Sequence, residues 1–206
     1  RDHARRYEYA WPGEMIHVDI KKLGRIPNGG GHRVHGRVQG EANSRARNLA
    51  EGRSKDRGQV RGYTFLHHAV DDHSRFVYSE ILPDETKETA SAFMRNAITA
   101  FTARGVKIQR VLTDNGSCYR SRAFAAVLAE AGIKHKRTRP YRPQTNGKVE
   151  RFNRILQEEW AYAKAYNSEA ERQACYPDFI EYYNQRRPHT ALKGASPASR
   201  VTNQPG

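Results

Sequence analysis

Three acidic residues stand where they could hold metal ions: Asp19, Asp114 and Glu150. Asp19 lies in the alternating stretch MIHVDIK at 15–21, between Val18 and Ile20. Asp114 ends the short strand pattern at 108–112, after Thr113, and precedes Asn115 and Gly116. Glu150 falls in the first turn of a segment with helical spacing that begins at Gly147. Carboxylate oxygens on a rigid scaffold suit Mg2+ or Mn2+, which keep positions open for water and phosphate. Two such ions, roughly 3.5–4 Å apart, serve phosphodiester chemistry. One activates a water or a 3′-hydroxyl, and the other stabilises the leaving oxygen. That chemistry needs no protein nucleophile, and none stands out. Taken singly, each acid has a plainer explanation. A strand carboxylate usually points to solvent, an Asp before Asn-Gly forms turns, and an acid in a first helical turn favours the helix dipole.

The charge balance narrows the choice. A net charge of +14 on 206 residues implies a polyanionic partner. The charge is concentrated: residues 21–62 hold 11 Lys and Arg against 3 acids, and residues 132–154 hold eight against Glu150 alone. Basic loops can serve solubility only, but these two stretches each lie beside a candidate acid. Lys134, Lys136, Arg137, Arg139 and Arg142 are candidates for phosphate contacts, which give affinity and salt dependence without sequence readout. No apolar run approaches the roughly 20 residues of a membrane span, and no signal-peptide core is present. The chain therefore reads as soluble and cytoplasmic. Cys118 and Cys175 are far apart and match no metal-ligand spacing, so neither zinc nor a disulfide framework is expected. The sequence opens on Arg1 without Met and reads as a fragment of a longer protein.

The elements that must position these acids follow from periodicity. Residues 15–21, 63–70 and 76–82 read as strands, the last two joined by the turn Asp71-Asp72-His73-Ser74. Residues 86–104 read as a helix, with Ala90, Phe93, Ala97, Ile98 and Phe101 at helical spacing and Gly105 as its stop. A short strand at 108–112 follows, then a helix at 121–131 capped by Ser121 and ended by Gly132. Residues 133–138 form a fifth strand, and 139–146, with two prolines, an exposed loop. Helices are expected at 147–166 and 168–185, and a Pro- and Gly-rich tail from 187. Segment 23–61 has few apolar residues and reads as a long or locally disordered loop. The sum is a mixed α/β sheet of about five strands flanked by helices. It divides into a linker at 1–13, a core at 14–186 carrying the basic insertion 23–61, and a tail at 187–206.

The sharpest signal is a separation: 35 residues lie between Asp114 and Glu150. This resembles the D,D-35-E signature of retroviral integrases and bacterial insertion-sequence transposases. VLTDNGSCY resembles the family's strand followed by Asp-Asn-Gly, and RPYRPQTNGKVERFNRILQEEW its loop and catalytic helix. VDDHSRFVYSEIL is similar to its second and third strands, and YYNQRRPHTAL to its Tyr-Asn-x-x-Arg-Pro-His motif. The insertion after IHVDIKKLGRIPNGGGH looks most like the IS481 group, related to IS3. The resemblance implies a ribonuclease H-like fold and a polynucleotidyl transferase that cuts and joins DNA during transposition or integration. It assigns Asp19, Asp114 and Glu150 to two Mg2+ or Mn2+ ions. It places Asn146, Lys148 and Arg151 beside the DNA end, with Asn153 and Arg154 one helical turn past Glu150. Many relatives carry Lys or Arg seven residues after the Glu; here Gln157 stands there, which puts that one contact in doubt. The implied partners are transposon ends and target DNA, bound by a homodimer or larger multimer, with end recognition in an upstream helix-turn-helix region. Two alternatives remain: a nuclease of the same fold that does not join, and a DNA-binding protein without catalysis.

The remaining candidates read as structural. His17 shares a strand face with Asp19 and either touches substrate or is a buried, hydrogen-bonded histidine, with the second reading favoured. His67, His68 and His73 lack partners at zinc spacing. His189 is expected to fix the tail, and Trp160 and residues 162–166 to pack.

Overall fold

The computed structural model describes residues 8–50, 62–138 and 147–201. The loop expected at 139–146, with Arg139, Arg142 and Asn146, lies outside them. Five strands form one sheet: β1 (Ile16–Gly24), β2 (Tyr63–Asp71), β3 (Val77–Leu82), β4 (Arg110–Thr113) and β5 (Lys134–Arg137). Their order is β3-β2-β1-β4-β5. The first three strands make an antiparallel meander, while β4 runs parallel to β1 and β5 parallel to β4. Helices α2 (Lys87–Thr102) and α3 (Arg122–Glu130) supply the crossovers that parallel pairing requires.

Period-two alternation decides what each face of β1 does. Ile16 and Val18 point into one core with Phe93, Phe101 and Phe124 of α2 and α3. Leu23 faces a second core, shared with Val149, Phe152 and Leu156 of α4 (Gly147–Leu156). Asp19, an even number of residues from Leu23, belongs to the α4 face. The helix ends obey the local signals. Thr86 and Ser121 accept hydrogen bonds from the backbone N–H groups of Thr89 and Phe124, capping α2 and α3. Gly105 and Gly132 follow those helices at φ 74° and 66°, a region that favours glycine.

Three elements differ from the sequence reading. Part of the polar segment expected as a loop forms α1 (His32–Ala50), broken at Gly36, where φ is 79°. Its Arg, Gln, Glu and Ala residues are good helix formers even without a strong apolar stripe. Arg37 and Arg45 pair with Glu41 one turn away, and Arg33 donates to the Tyr162 carbonyl at 2.9 Å. The helix expected at 147–166 instead changes to a wider π turn at Gln157–Ala161. That turn seats the buried Trp160, whose indole N–H donates to the Arg172 carbonyl at 3.0 Å. The last helix is divided into α5 (Glu169–Ala174), α6 (Tyr176–Glu181) and a π turn at Tyr182–Arg186. Pro177, in the first turn of α6, offers no N–H to carry α5 onward.

The C-terminal segment closes the fold as expected of His189. That residue is buried, with its ring edge-on to Tyr183 at 4.7 Å between centroids, and Val201 joins the first core. Trp160 packs as expected, whereas Tyr162 is 40% exposed. Asn184 grips the outer strand. Its amide accepts from the Val77 N–H at 3.0 Å and donates to the Val77 carbonyl at 2.8 Å. Replacing it orphans two buried backbone groups, each costing about 1–3 kcal/mol. Asn184→Ala should lower the unfolding free energy in urea by about 2–4 kcal/mol. A loss below about 1 kcal/mol would show that the C-terminal helices do not depend on this grip.

Candidate active site

The sheet itself brings the first two acids together. In the β1–β4 ladder Ile16 pairs with Val111 and His17 with Leu112. Continuing that register by two residues sets Asp19 opposite Asp114, on the α4 face of the sheet. Asp114 lies just past the end of β4, at the carboxyl edge where ligands of α/β sheets gather. The turn after it orients its carboxylate, since Oδ1 accepts from the Gly116 N–H at 2.8 Å. A Cβ on Gly116 would come within 3.0 Å of that oxygen, so a side chain there would press on the carboxylate.

Asp19 is half-buried and Asp114 exposed. Burial pushes the Asp19 carboxyl above its ordinary range; a hydrogen bond from Asn153 opposes this, and the charge of Asp114 reinforces it. The two carboxylates thus feel each other as like charges. A hard divalent cation beside them would favour the ionised form of Asp19. Their oxygen-only chemistry fits Mg2+ or Mn2+.

The third acid stands apart. Glu150 is exposed on the first turn of α4. Among the described residues, no three His, Cys, Asp or Glu side chains lie close enough to hold one metal ion. What joins α4 to the strand is Asn153, one turn on, whose Nδ2 donates to Asp19 Oδ2 at 2.9 Å. Spacing put Asn153 near the face of Glu150; its grip on Asp19 was not legible. A polar residue three after a helical acid was the available signal.

A second contact seats the start of α4. Lys148 lies 3.8 Å from Asp72 Oδ1, and the same oxygen meets His17 Nε2 at 2.9 Å. His17 is therefore the buried, hydrogen-bonded histidine that the sequence favoured. The Tyr9 N–H adds a bond to Asp72 Oδ2 at 2.8 Å. Burial works against the Asp72 charge, but the bonds from His17 and Tyr9 and the charge of Lys148 outweigh it and hold the carboxyl below its ordinary range. Behind them His68 packs edge-on against Phe152 at 4.8 Å, and burial drives its pKa down to about 3, so it stays neutral.

The remaining basic candidates lie around this edge. Lys136 is exposed on β5 and pairs in register with Leu112, the neighbour of His17, so it shares their face. Arg151 is exposed, and Arg154 is exposed with a 2.8 Å ion pair to Glu158. Lys148 is half-buried against Asp72.

This sheet, with its carboxylates at the junction of β1 and β4 under a covering helix, is a ribonuclease H-like domain. Solved structures agree at the level of the fold. One chain of the simian T-cell lymphotropic virus intasome matches with a TM-score of 0.66 at 19% identity, covering 100% of this chain and 59% of that one. The HTLV-2 integrase catalytic core domain in complex with magnesium matches at 0.61 and 16% identity, covering 93% and 98%. In sequence, an integrase core domain profile matches residues 10–143, and a second one residues 131–197. The chain belongs to the integrase core domain family, whose members are polynucleotidyl transferases that act on DNA and use divalent metal ions. Relatives include the transposase InsK of insertion element IS150 from Escherichia coli, 35% identical over 85 residues, 41% of this chain and 30% of that protein. The Pol polyprotein of tobacco transposon TNT 1-94 is 34% identical over 115 residues, 52% of this chain and 8% of that protein. The matched part thus spans under a third of these relatives. No described helix is long and apolar enough to cross a membrane.

Two measurements probe this geometry. Asn153→Ala removes a bond that favours ionised Asp19, so the Asp19 carboxyl should titrate at higher pH by carbon-detected NMR. An unchanged titration would remove Asn153 from the site. For Asp72 the native pKa lies below the unfolded one. Its stabilising effect is full above the unfolded value of about 3.9 and is lost as pH falls through the native value. Asp72→Asn should therefore flatten the acid limb of stability against pH, and an unaltered limb would contradict the pairing.

Proposed function

We propose that this domain cuts DNA and joins the freed 3′ end to a second DNA, with Asp19, Asp114 and Glu150 as its metal ligands. The observation that carries the reading is the register that sets Asp19 opposite Asp114, with α4 tied to Asp19 through Asn153. Glu150, one turn before Asn153 on the same flank of α4, is the third ligand in this reading. Mg2+ or Mn2+, as a pair, would supply an activated water or 3′-hydroxyl and neutralise charge at the leaving oxygen.

The protein's own residues do the positioning. Asp19 is held within a strand, where main-chain bonding permits little drift, and Asp114 follows directly on β4 with its carboxylate bonded by the Gly116 N–H. Asn153 fixes one oxygen of Asp19 and favours its charged form. Lys148 and Asp72 seat the first turn of α4, and with it Glu150. Lys136, Arg151 and Arg154 offer positive charge to phosphates beside the site; Arg139, Arg142 and Asn146, outside the described residues, are DNA contacts in this reading on the sequence resemblance alone. Such contacts hold DNA without reading its sequence. The partners are transposon-end and target DNA, bound by a dimer or larger multimer.

In the full-length protein with end-labelled DNA of the element, Asp114→Asn should reduce joining by more than about 100-fold, beyond the loss typical of a residue that only supports a ligand. DNA affinity should stay nearly unchanged. A variant that still joins ends would remove Asp114 from the metal site. Wild-type protein that cuts but never joins would make the domain a nuclease.

A further inference from the structure

The insertion between β1 and β2 builds a groove that the catalytic reading does not use. It is an open cavity of about 600 Å³ between α1 and the turn that ends α4. Arg25, Arg33, Arg37 and Lys164 line it, together with Tyr63 and Tyr162. Among the described residues Glu41 is the one acid on its wall, and it is shared between Arg37 at 3.4 Å and Arg45 at 3.8 Å. Exposed pairs of this kind contribute little and exchange readily for another anion. The floor includes Arg172, which is 1% exposed and bonded to Glu169; its Nε has no partner among the described residues.

The aromatic groups are placed for stacking. Tyr63 is 47% and Tyr162 is 40% exposed, unusual for rings beside a cavity wall. The Arg33 guanidinium lies 4.7 Å from the centre of the Tyr162 ring and bonds the Tyr162 carbonyl. Guanidinium groups for phosphates with rings for bases make the chemistry of a nucleic-acid strand groove.

Its position fits the site. Along β1, five residues separate Asp19 from Gly24 at the groove, about 16 Å at about 3.3 Å each. Along α4 and its final turn, 11 residues separate Glu150 from Ala161, again about 16 Å at about 1.5 Å each. The two paths agree in length, so the groove lies within reach of the same DNA strand as the acids.

We propose that this groove binds a DNA strand a few nucleotides from the scissile phosphate, with an unpaired base against Tyr162. The proposal rests on the proposed function in taking DNA as the substrate and the carboxylate edge as the place of cleavage. The probe is a fluorescent duplex with a six-nucleotide unpaired extension, compared with a blunt duplex, titrated against the full-length protein at several salt concentrations. Arg33→Ser with Arg37→Ser should weaken binding of the extended duplex at least tenfold and reduce the logarithmic salt slope by about 2. Tyr162→Leu should abolish the preference for the extended over the blunt duplex. Unchanged melting temperatures will show that the variants fold. Equal affinity and slope in the double Arg variant would overturn the proposal, as would equally effective competition by a mononucleotide. Asp114→Asn separates the two readings: it should lose joining and keep the preference for the extension. Failure of wild-type joining with groove binding intact would sink only the catalytic reading.

Discussion

The structure depends on a conflict between like charges. Parallel pairing of β1 and β4, continued by two residues, sets Asp19 opposite Asp114, and the charge of Asp114 opposes ionisation of Asp19. Burial of Asp19 adds to that cost. A fold that retains both acids at a strand edge keeps a site whose repulsion a divalent cation relieves. The other features of the region hold the two groups in place.

Helix α4 is the main such device, and two kinds of force seat it. Val149, Phe152, Ile155 and Leu156 bury an apolar stripe against the sheet, which fixes the helix to the surface. Apolar contact is non-directional and leaves rotation and sliding open. The polar pegs remove that freedom: Lys148 against Asp72 at one end and Asn153 on Asp19 one turn and more beyond. Together they fix how Glu150 stands relative to the strands.

Much of this was legible in the sequence because it is local. Alternation around Asp19 gave the strand and its face, and Ser121 and Gly132 gave the bounds of α3. The sheet and its five strands followed from the same patterns. What escaped depends on contacts far apart in the chain. Helix α1 lacks a strong apolar stripe, so polarity hid it; its Arg33 is held by Tyr162, 129 residues away. The π turn at Gln157–Ala161 follows from the seating of Trp160 against Arg172, which no periodicity encodes. The spacing of 35 residues singled out Glu150, yet its exposed stance on α4 depends on packing that spacing does not contain.

The charge of the molecule falls into place around the same edge. Lys136 is exposed on β5 and Arg151 and Arg154 on α4, the helix that carries Glu150, and the groove under α1 carries a second basic surface about 16 Å away along β1. Both would meet the backbone of one bound DNA. The central claim, that Asp19, Asp114 and Glu150 together hold the metal, is tested most directly by anomalous diffraction from crystals soaked in Mn2+. The account predicts anomalous density between these three side chains, lost in Asp114→Asn crystals. Ordered Mn2+ bound elsewhere, or density at this edge that persists in the variant, would contradict it.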